Sequence, residues 1–169
     1  MTFPLVNAHT GKLENLTTQV RHCMSDHQGA AAVSYEDDNL LALVTFLGNL
    51  ARNQSFAEVP IALSESIERG RTYFHSRRGQ LNLACQHCHE RHVGQMLRGN
   101  RLSEGHSNGY PLYRLEWQQV GSLHRRFRAC DIGVRAEPFP LGSPVYIELE
   151  LYLRQRALAL PLETPAVRR

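Results

Sequence analysis

The residues best suited to chemistry stand together at positions 85–89, which read CQHCH. Two thiols separated by two residues can add to the two vinyl groups of a haem, and the histidine that follows can ligate its iron. The same run could also form half of a zinc site or a redox dithiol. Zinc would need two more ligands, and no second CXXC occurs; a dithiol motif expects a preceding strand, where this chain shows a helical pattern. The spacing therefore favours covalent haem at Cys85, Cys88 and His89.

A haem held by His89 needs a second axial ligand on its other face. Of the three methionines only Met96 follows the motif, and it is too close to His89 in sequence to pass easily round the porphyrin. The remaining soft donor is Cys130, which ends the run RRFRAC. Positive charge from neighbours such as Arg126 favours a thiolate there, and a thiolate is both a metal ligand and a nucleophile. The histidines that stay open as alternatives are His92, His106 and His124.

The chain as a whole reads as a globular protein of one ordinary domain or two small ones. It has 169 residues, of which 42% are hydrophobic, and a net charge of +3 that does not point to nucleic acid. No apolar run is long enough for a membrane span. The first 16 residues lack the features of a secretory signal. Because haem c is attached outside the bacterial cytoplasm, we expect a fragment or a processed form.

Helices must position these residues. Apolar residues at helical spacing predict helices at 13–24, 37–52 and 65–76, and Ser143-Pro144 opens a last one. Ser64 is the expected cap of the third helix, and Gly70 within it would let another helix approach closely. Residues 99–144 are rich in turn formers and predict a long irregular loop. Strand alternation is nearly absent, so we predict an all-α fold. In small c-type cytochromes a first and a last helix cross and hold the haem between them.

Several long runs, beyond the CXXCH pattern, are specific enough to indicate a family. They are YPLYRLEWQ, RRFRAC and LELYLRQR. Together they resemble the SoxA family, the catalytic cytochrome c subunits of the thiosulfate-oxidising SoxAX complex of sulfur bacteria. The resemblance covers essentially the whole chain and is less distinctive before residue 60. It implies a periplasmic protein with two cytochrome c-like domains: residues 1–56 would be the later part of the first, without its haem motif, and residues 57–169 the complete second.

The same resemblance implies a role for each candidate site residue. Cys85 and Cys88 would be the thioether positions of one haem c, and His89 its proximal ligand. Cys130 would be the distal ligand and could carry an extra sulfur as a persulfide. Arg126, four residues before it, would lie at the active site. The resemblance thus implies Cys130 and Arg126 as the catalytic pair.

The activity implied by the resemblance is that of an L-cysteine S-thiosulfotransferase. Thiosulfate would be joined to a cysteine of the carrier protein SoxYZ, and two electrons would pass to the haem of the partner cytochrome SoxX. Cys23 would ligate a first haem or pair with an upstream cysteine, so it receives no role here. The alternatives are a plain monohaem electron-transfer cytochrome, with His or Met opposite His89, and a degraded subunit that only scaffolds a partner.

Overall fold

Helices make up most of the secondary structure in the computed structural model, which describes residues 2–169. The α-helices in these residues are α1 (Leu16–Gln28), α2 (Asp38–Leu50), α3 (Ser64–His75), α4 (Cys85–His89), α5 (Leu123–Gly133) and α6 (Pro144–Arg156). The predicted helices correspond to α1, α2, α3 and α6, and Ser143 is the N-cap residue of α6. Ser64 is not a cap: a short 3-10 turn, Ile61–Leu63, runs directly into α3, and Leu63 takes the cap position. None of the helices in residues 2–169 is long and apolar enough to cross a membrane.

The all-α prediction is wrong, because three small sheets accompany the helices within residues 2–169. The strands are β1 (Leu5–Val6), β2 (Leu13–Glu14), β3 (Met96–Leu97), β4 (Asn100–Arg101), β5 (Leu112–Arg114), β6 (Gln119–Gly121) and β7 (Ala166–Arg168). β1 pairs with β2 and β3 with β4, while β5 lies between an antiparallel β6 and a parallel β7. Strands of two or three residues are too short to show the alternation from which a strand is read in sequence.

Helix α5 lies inside the stretch predicted to be an irregular loop, so that prediction is wrong over Leu123–Gly133. Its N-terminus is capped by the Ser122 hydroxyl, which accepts a hydrogen bond from the Arg125 backbone N–H at 3.1 Å. The sequence pattern is weak because only Leu123 and Phe127 are buried apolar residues on its inner face. Buried polar side chains complete that face, and a search for apolar periodicity does not count them.

Helices α3 and α6 cross in direct contact at Gly70, as predicted from the absence of a side chain there. A Cβ atom at this position would lie 2.1 Å from the Glu148 carbonyl oxygen and 2.9 Å from the Tyr152 Cβ. No other residue type allows two backbones to approach so closely. The crossing buries Phe74 and Tyr152 in a core completed by Leu123, Phe127, Tyr146, Leu149 and Leu153.

A second, smaller core holds the first part of the chain together. Val20 of α1 packs against Leu40 and Val44 of α2. Helix α2 begins at a strong cap, where the Asp37 carboxylate accepts from the Asn39 and Leu40 backbone N–H groups. The chain therefore has one apolar cluster in its first third and another formed by α3, α5 and α6.

A buried arginine joins the first part of the chain to α6. Arg154 is 1% exposed, and its guanidinium donates to the carbonyl oxygens of Thr2, Pro4, Ala57 and Glu58. Burying a cation is costly unless it is hydrogen-bonded. These carbonyls supply that compensation and hold the N-terminal residues against the last helix.

Replacing Gly70 by alanine should destabilise the protein. Because the new Cβ would overlap backbone atoms of α6, we expect the free energy of unfolding to fall by about 1–3 kcal/mol or more. Gly133→Ala is the matched control: nothing lies within 4 Å of a Cβ there, and a helical Gly→Ala change should be neutral or stabilising by about 0.4–1 kcal/mol. Equal urea midpoints for the two variants would contradict the crossing described here.

Candidate functional site

The CXXCH segment forms the short helix α4, which is anchored to the end of α3. The Gln86 side-chain amide donates to the His75 carbonyl oxygen at 3.1 Å. An isolated β-bridge between Arg78 and Leu83 closes the loop that leads from α3 into α4. The two cysteines and the histidine are therefore held beside the crossing of α3 and α6.

His89 is oriented as a metal ligand would be. Its Nδ1 lies 2.7 Å from the Ser103 carbonyl oxygen, which can only accept, so Nδ1 carries the proton and Nε2 keeps its lone pair. Gly105 lies against the ring, and a Cβ there would be 2.9 Å from the His89 Cγ. Burial lowers the pKa of His89, which favours the neutral imidazole that binds iron.

Three thiols lie close together around α4 and α5. Burial is the main cause that raises the pKa of Cys85 to about 12 and that also raises the pKa of Cys88. For both thiols the next cause is negative charge on Cys130, so the sulfur of α5 is near both sulfurs of α4. Two thiols, a histidine with a free Nε2 and a third sulfur form a donor set that fits covalent haem.

Arg126 lies on the same face of α5 as Cys130, one helical turn away. Negative charge on Cys130 is the main cause that raises the pKa of Arg126, and burial acts in the opposite direction. Tyr110 and Glu116 are also close enough to add to the rise. Within residues 2–169 the Arg126 guanidinium forms no hydrogen bond or ion pair. A partly buried cation beside a sulfur, with its donors free, is suited to bind an oxyanion.

The neighbouring arginines of α5 point elsewhere. Arg125 lies 3.9 Å from the Glu36 carboxylate and 4.5 Å from the centre of the Trp117 ring. Arg125 and Arg128 both line a surface cleft with Trp117 and Ile132, on the side of α5 opposite Cys130. The helix therefore separates one arginine at the sulfur cluster from two that face away from it.

The histidines that stood as alternative distal ligands are placed differently. His124 is buried with both nitrogens engaged: Nδ1 accepts from the Gly142 N–H at 3.0 Å, so Nε2 carries the proton and donates to Glu150 at 3.0 Å. His106 lies 3.4 Å from the Glu104 carboxylate. His92 and Met96 are both exposed. Cys130 is the donor that the fold brings to the sulfurs of α4.

Sequence reasoning missed two polar residues near Arg126. Burial raises the pKa of Tyr110 to about 12, with Arg126 acting to lower it and Cys130 to raise it. Arg114, on β5, is close enough to Tyr110 to act to lower its pKa, and it donates to the Glu116 carboxylate at 2.6 Å. Tyr110 and Arg114 both lie in the run YPLYRLEWQ, whose residue spacing alone indicates no site. Their proximity to α5 comes from tertiary folding, which no local spacing reveals.

Comparison with known proteins gives consistent matches. The family model for the SoxA/TsdA cytochrome c domain matches residues 1–56. The L-cysteine S-thiosulfotransferase subunit SoxA of Rhodovulum sulfidophilum is 32% identical over 98% of this chain and 58% of its own length. The subunit of the same name from Allochromatium vinosum is 34% identical over 99% of this chain and 61% of its own. The crystal structure of SoxXA from P. pantotrophus superimposes with a TM-score of 0.94 at 32% identity, covering 99% of this chain and 64% of that one.

Crossed helices, a CXXCH segment beside them and the match to a cytochrome c domain define a cytochrome c-related protein, a class that binds haem covalently. Within that class the chain is similar to SoxA subunits over nearly its whole length, as its sequence pattern predicted. It spans about three fifths of the length of the curated relatives it matches.

The contact between Gly105 and His89 can be tested by substitution. Gly105→Ala and Gly99→Ala both place a side chain at positive φ, which costs about 1–2 kcal/mol each. Only Gly105→Ala also meets a neighbour, the His89 ring, so we expect it to cost about 1–3 kcal/mol more and to displace the imidazole. Thermal unfolding measures the difference. Equal melting temperatures in the two variants would show that Gly105 does not support His89.

Proposed function

We propose that this protein carries one covalent haem c, attached through Cys85 and Cys88, with His89 as proximal and Cys130 as distal ligand. The free Nε2 of His89 and the proximity of Cys130 to both thiols of α4 support this assignment. When bound, the haem supplies an oxidised iron that withdraws electron density from the Cys130 sulfur and accepts electrons. The tight approach of Gly105 keeps the proximal imidazole in one orientation.

The function that this site supports best is that of an L-cysteine S-thiosulfotransferase. The observation that carries the proposal is the unpaired guanidinium of Arg126 beside Cys130. Thiosulfate is a dianion, and joining its terminal sulfur to a second anionic sulfur is opposed by charge repulsion. Arg126 offsets that repulsion by binding the sulfonate oxygens through donors that have no other partner in residues 2–169. Tyr110 and Arg114 form the adjoining polar wall.

The proposed second substrate is a cysteine of the carrier protein SoxYZ. Its thiol loses one proton as its sulfur bonds to the terminal sulfur of thiosulfate. The pair loses two electrons, which pass to a partner cytochrome, SoxX. The relatives' name supports a cysteine as the acceptor, and the SoxXA structure supports SoxX as the partner. A periplasmic location follows from the same proposal, because haem c is attached outside the bacterial cytoplasm.

The domain division belongs to the same proposal. We place the later part of a first cytochrome c-like domain, without a haem motif, at residues 1–56, and a haem-binding domain at residues 57–169. The match of the family model to residues 1–56 and the separate apolar cluster formed by α1 and α2 support the boundary.

The intact mass of the matured protein tests the cofactor assignment. The chain would be expressed behind a signal peptide in a host that matures c-type cytochromes. We expect the mass of the chain plus one haem and one additional sulfur atom, and Cys130→Ala should lose the sulfur and the thiolate ligation while it keeps the haem. One haem without extra sulfur, and a spectrum typical of His/Met ligation, would indicate a plain electron-transfer cytochrome instead.

Substituting Arg126 tests the catalytic assignment. Arg126→Ala should slow formation of the thiosulfonate adduct on the carrier cysteine by about 100–1,000-fold, because it removes the cation that would bind the sulfonate beside Cys130. The haem content should stay unchanged. Adduct formation is followed by the mass of the carrier protein over time.

Arg128→Ala is the matched control, because it removes the same charge from the opposite face of α5. It should keep close to wild-type activity. Equal rates for Arg126→Ala and the wild-type protein would refute the role of Arg126. Equal losses of rate in Arg126→Ala and Arg128→Ala would show only a general effect of positive charge on α5.

A further inference from the structure

The residue directly after Cys130 is a buried carboxylate with three hydrogen-bond donors around it. Asp131 is 6% exposed. Its oxygens accept from the Tyr146 hydroxyl at 2.6 Å, the Tyr73 hydroxyl at 2.9 Å and the Arg78 guanidinium at 3.0 Å. A buried carboxylate with this many partners is fixed in one position, since breaking any one contact leaves a costly unsatisfied group.

The three donors come from three different parts of the haem-binding region. Tyr73 belongs to α3, Tyr146 to α6, and Arg78 to the loop that leads into α4. Arg78 is itself fixed: its guanidinium lies 4.8 Å from the centre of the Phe139 ring and donates to the Glu137 carbonyl oxygen at 2.9 Å. Asp131 thus connects α5 to both crossing helices and to the approach to the CXXCH segment.

The backbone following Asp131 is joined to the same loop. The backbone N–H groups of Gln80 and Leu81 donate to the carbonyl oxygens of Arg135 and Val134 at 3.2 and 3.3 Å. At Gly79 a Cβ would lie 2.2 Å from the Val134 carbonyl oxygen, so the two segments pack with no room between them. The end of α5 and the segment entering α4 therefore form one continuous unit.

The two neighbouring side chains of α5 face different environments. Asp131 points into the cluster of Tyr73, Tyr146 and Arg78, whereas Cys130 lies on the face shared with Arg126. Successive residues of an α-helix are about 100° apart, so the carboxylate can hold the backbone without occupying the sulfur's side of the helix. Asp131 therefore acts on Cys130 through the main chain.

We infer that Asp131 is a positioning residue: its three hydrogen bonds fix the end of α5 against α3, α6 and the loop before α4, and so hold the Cys130 sulfur at a set place relative to Cys85 and Cys88. The inference rests on the proposed function, in which Cys130 is the distal haem ligand. It assigns to Asp131, and to its donors Tyr73, Tyr146 and Arg78, a role in keeping the thiolate on the iron.

The test uses haem-loaded protein with Asp131→Asn and Tyr73→Phe. Asp131→Asn replaces the carboxylate by an amide, whose NH₂ group then faces hydrogen-bond donors. Tyr73→Phe removes one of the three donors and leaves the carboxylate in place. Two readouts apply well below the unfolding temperature: the absorption and electron-spin spectra of thiolate-ligated haem, and the rate at which iodoacetamide alkylates Cys130. Cys23, which is exposed on α1, is the internal reference.

We expect Asp131→Asn to lose most of the thiolate signature and to raise Cys130 alkylation about tenfold or more relative to Cys23, as the loss of a charged hydrogen bond does to a local opening equilibrium. Tyr73→Phe should give a smaller change in the same direction. If Asp131→Asn fails to fold, Tyr73→Phe alone still tests the inference. Leu40→Ala, a cavity in the other apolar cluster, controls for general destabilisation and should leave both readouts unchanged.

The inference would be overturned if Asp131→Asn kept the thiolate spectrum and the Cys130 alkylation rate of the wild-type protein. It would also be overturned if Asp131→Asn and Leu40→Ala changed both readouts equally. A wild-type protein without any thiolate signature would refute distal ligation by Cys130 instead. In that case the alkylation rates of the variants would still decide whether Asp131 holds Cys130 in place.

Discussion

The close approach of two backbones at Gly70 is the constraint on which the rest of the structure depends. Because α3 and α6 touch there, Phe74 and Tyr152 share one core, and Tyr73 and Tyr146 both reach the same carboxylate on α5. The loop that leaves α3 then delivers α4 beside that helix. A wider crossing would separate the two tyrosines and leave a buried acidic group with fewer donors.

Helix α5 places its charged and sulfur-bearing side chains on three different faces. One face presents Cys130 and Arg126 to the thiols of α4, a second carries Asp131 into its hydrogen-bonded cluster, and a third turns Arg125 and Arg128 to the surface. Opposite charges are thus kept apart by the geometry of a single helix. The Arg126 guanidinium stays unpaired although Asp131 is on the same helix, because the Asp131 carboxylate lies on another face and is bound by other donors.

The parts of the fold and site that could be predicted are those encoded by local spacing. Five consecutive residues define the CXXCH segment, and the small side chain of Gly70 indicates a close helix contact. Helix α5 escaped prediction because its inner face is completed by buried polar residues, which satisfy one another only after folding. The sheet formed by β5, β6 and β7 joins segments far apart in sequence, so strands of three residues gave no signal. Tyr110 and Arg114 were missed for the same reason.

The guanidinium of Arg154 bears on how such a protein can change in evolution. Its hydrogen-bond acceptors are main-chain carbonyls at residues 2, 4, 57 and 58, so no side-chain mutation in those segments removes them. A deletion of the N-terminal segment would remove two of the four at once and leave a buried cation poorly compensated. Selection on folding alone would then retain the N-terminal polypeptide in a lineage where it had no cofactor of its own. Such a segment can lose a chemical role and still stabilise the fold of the remaining chain.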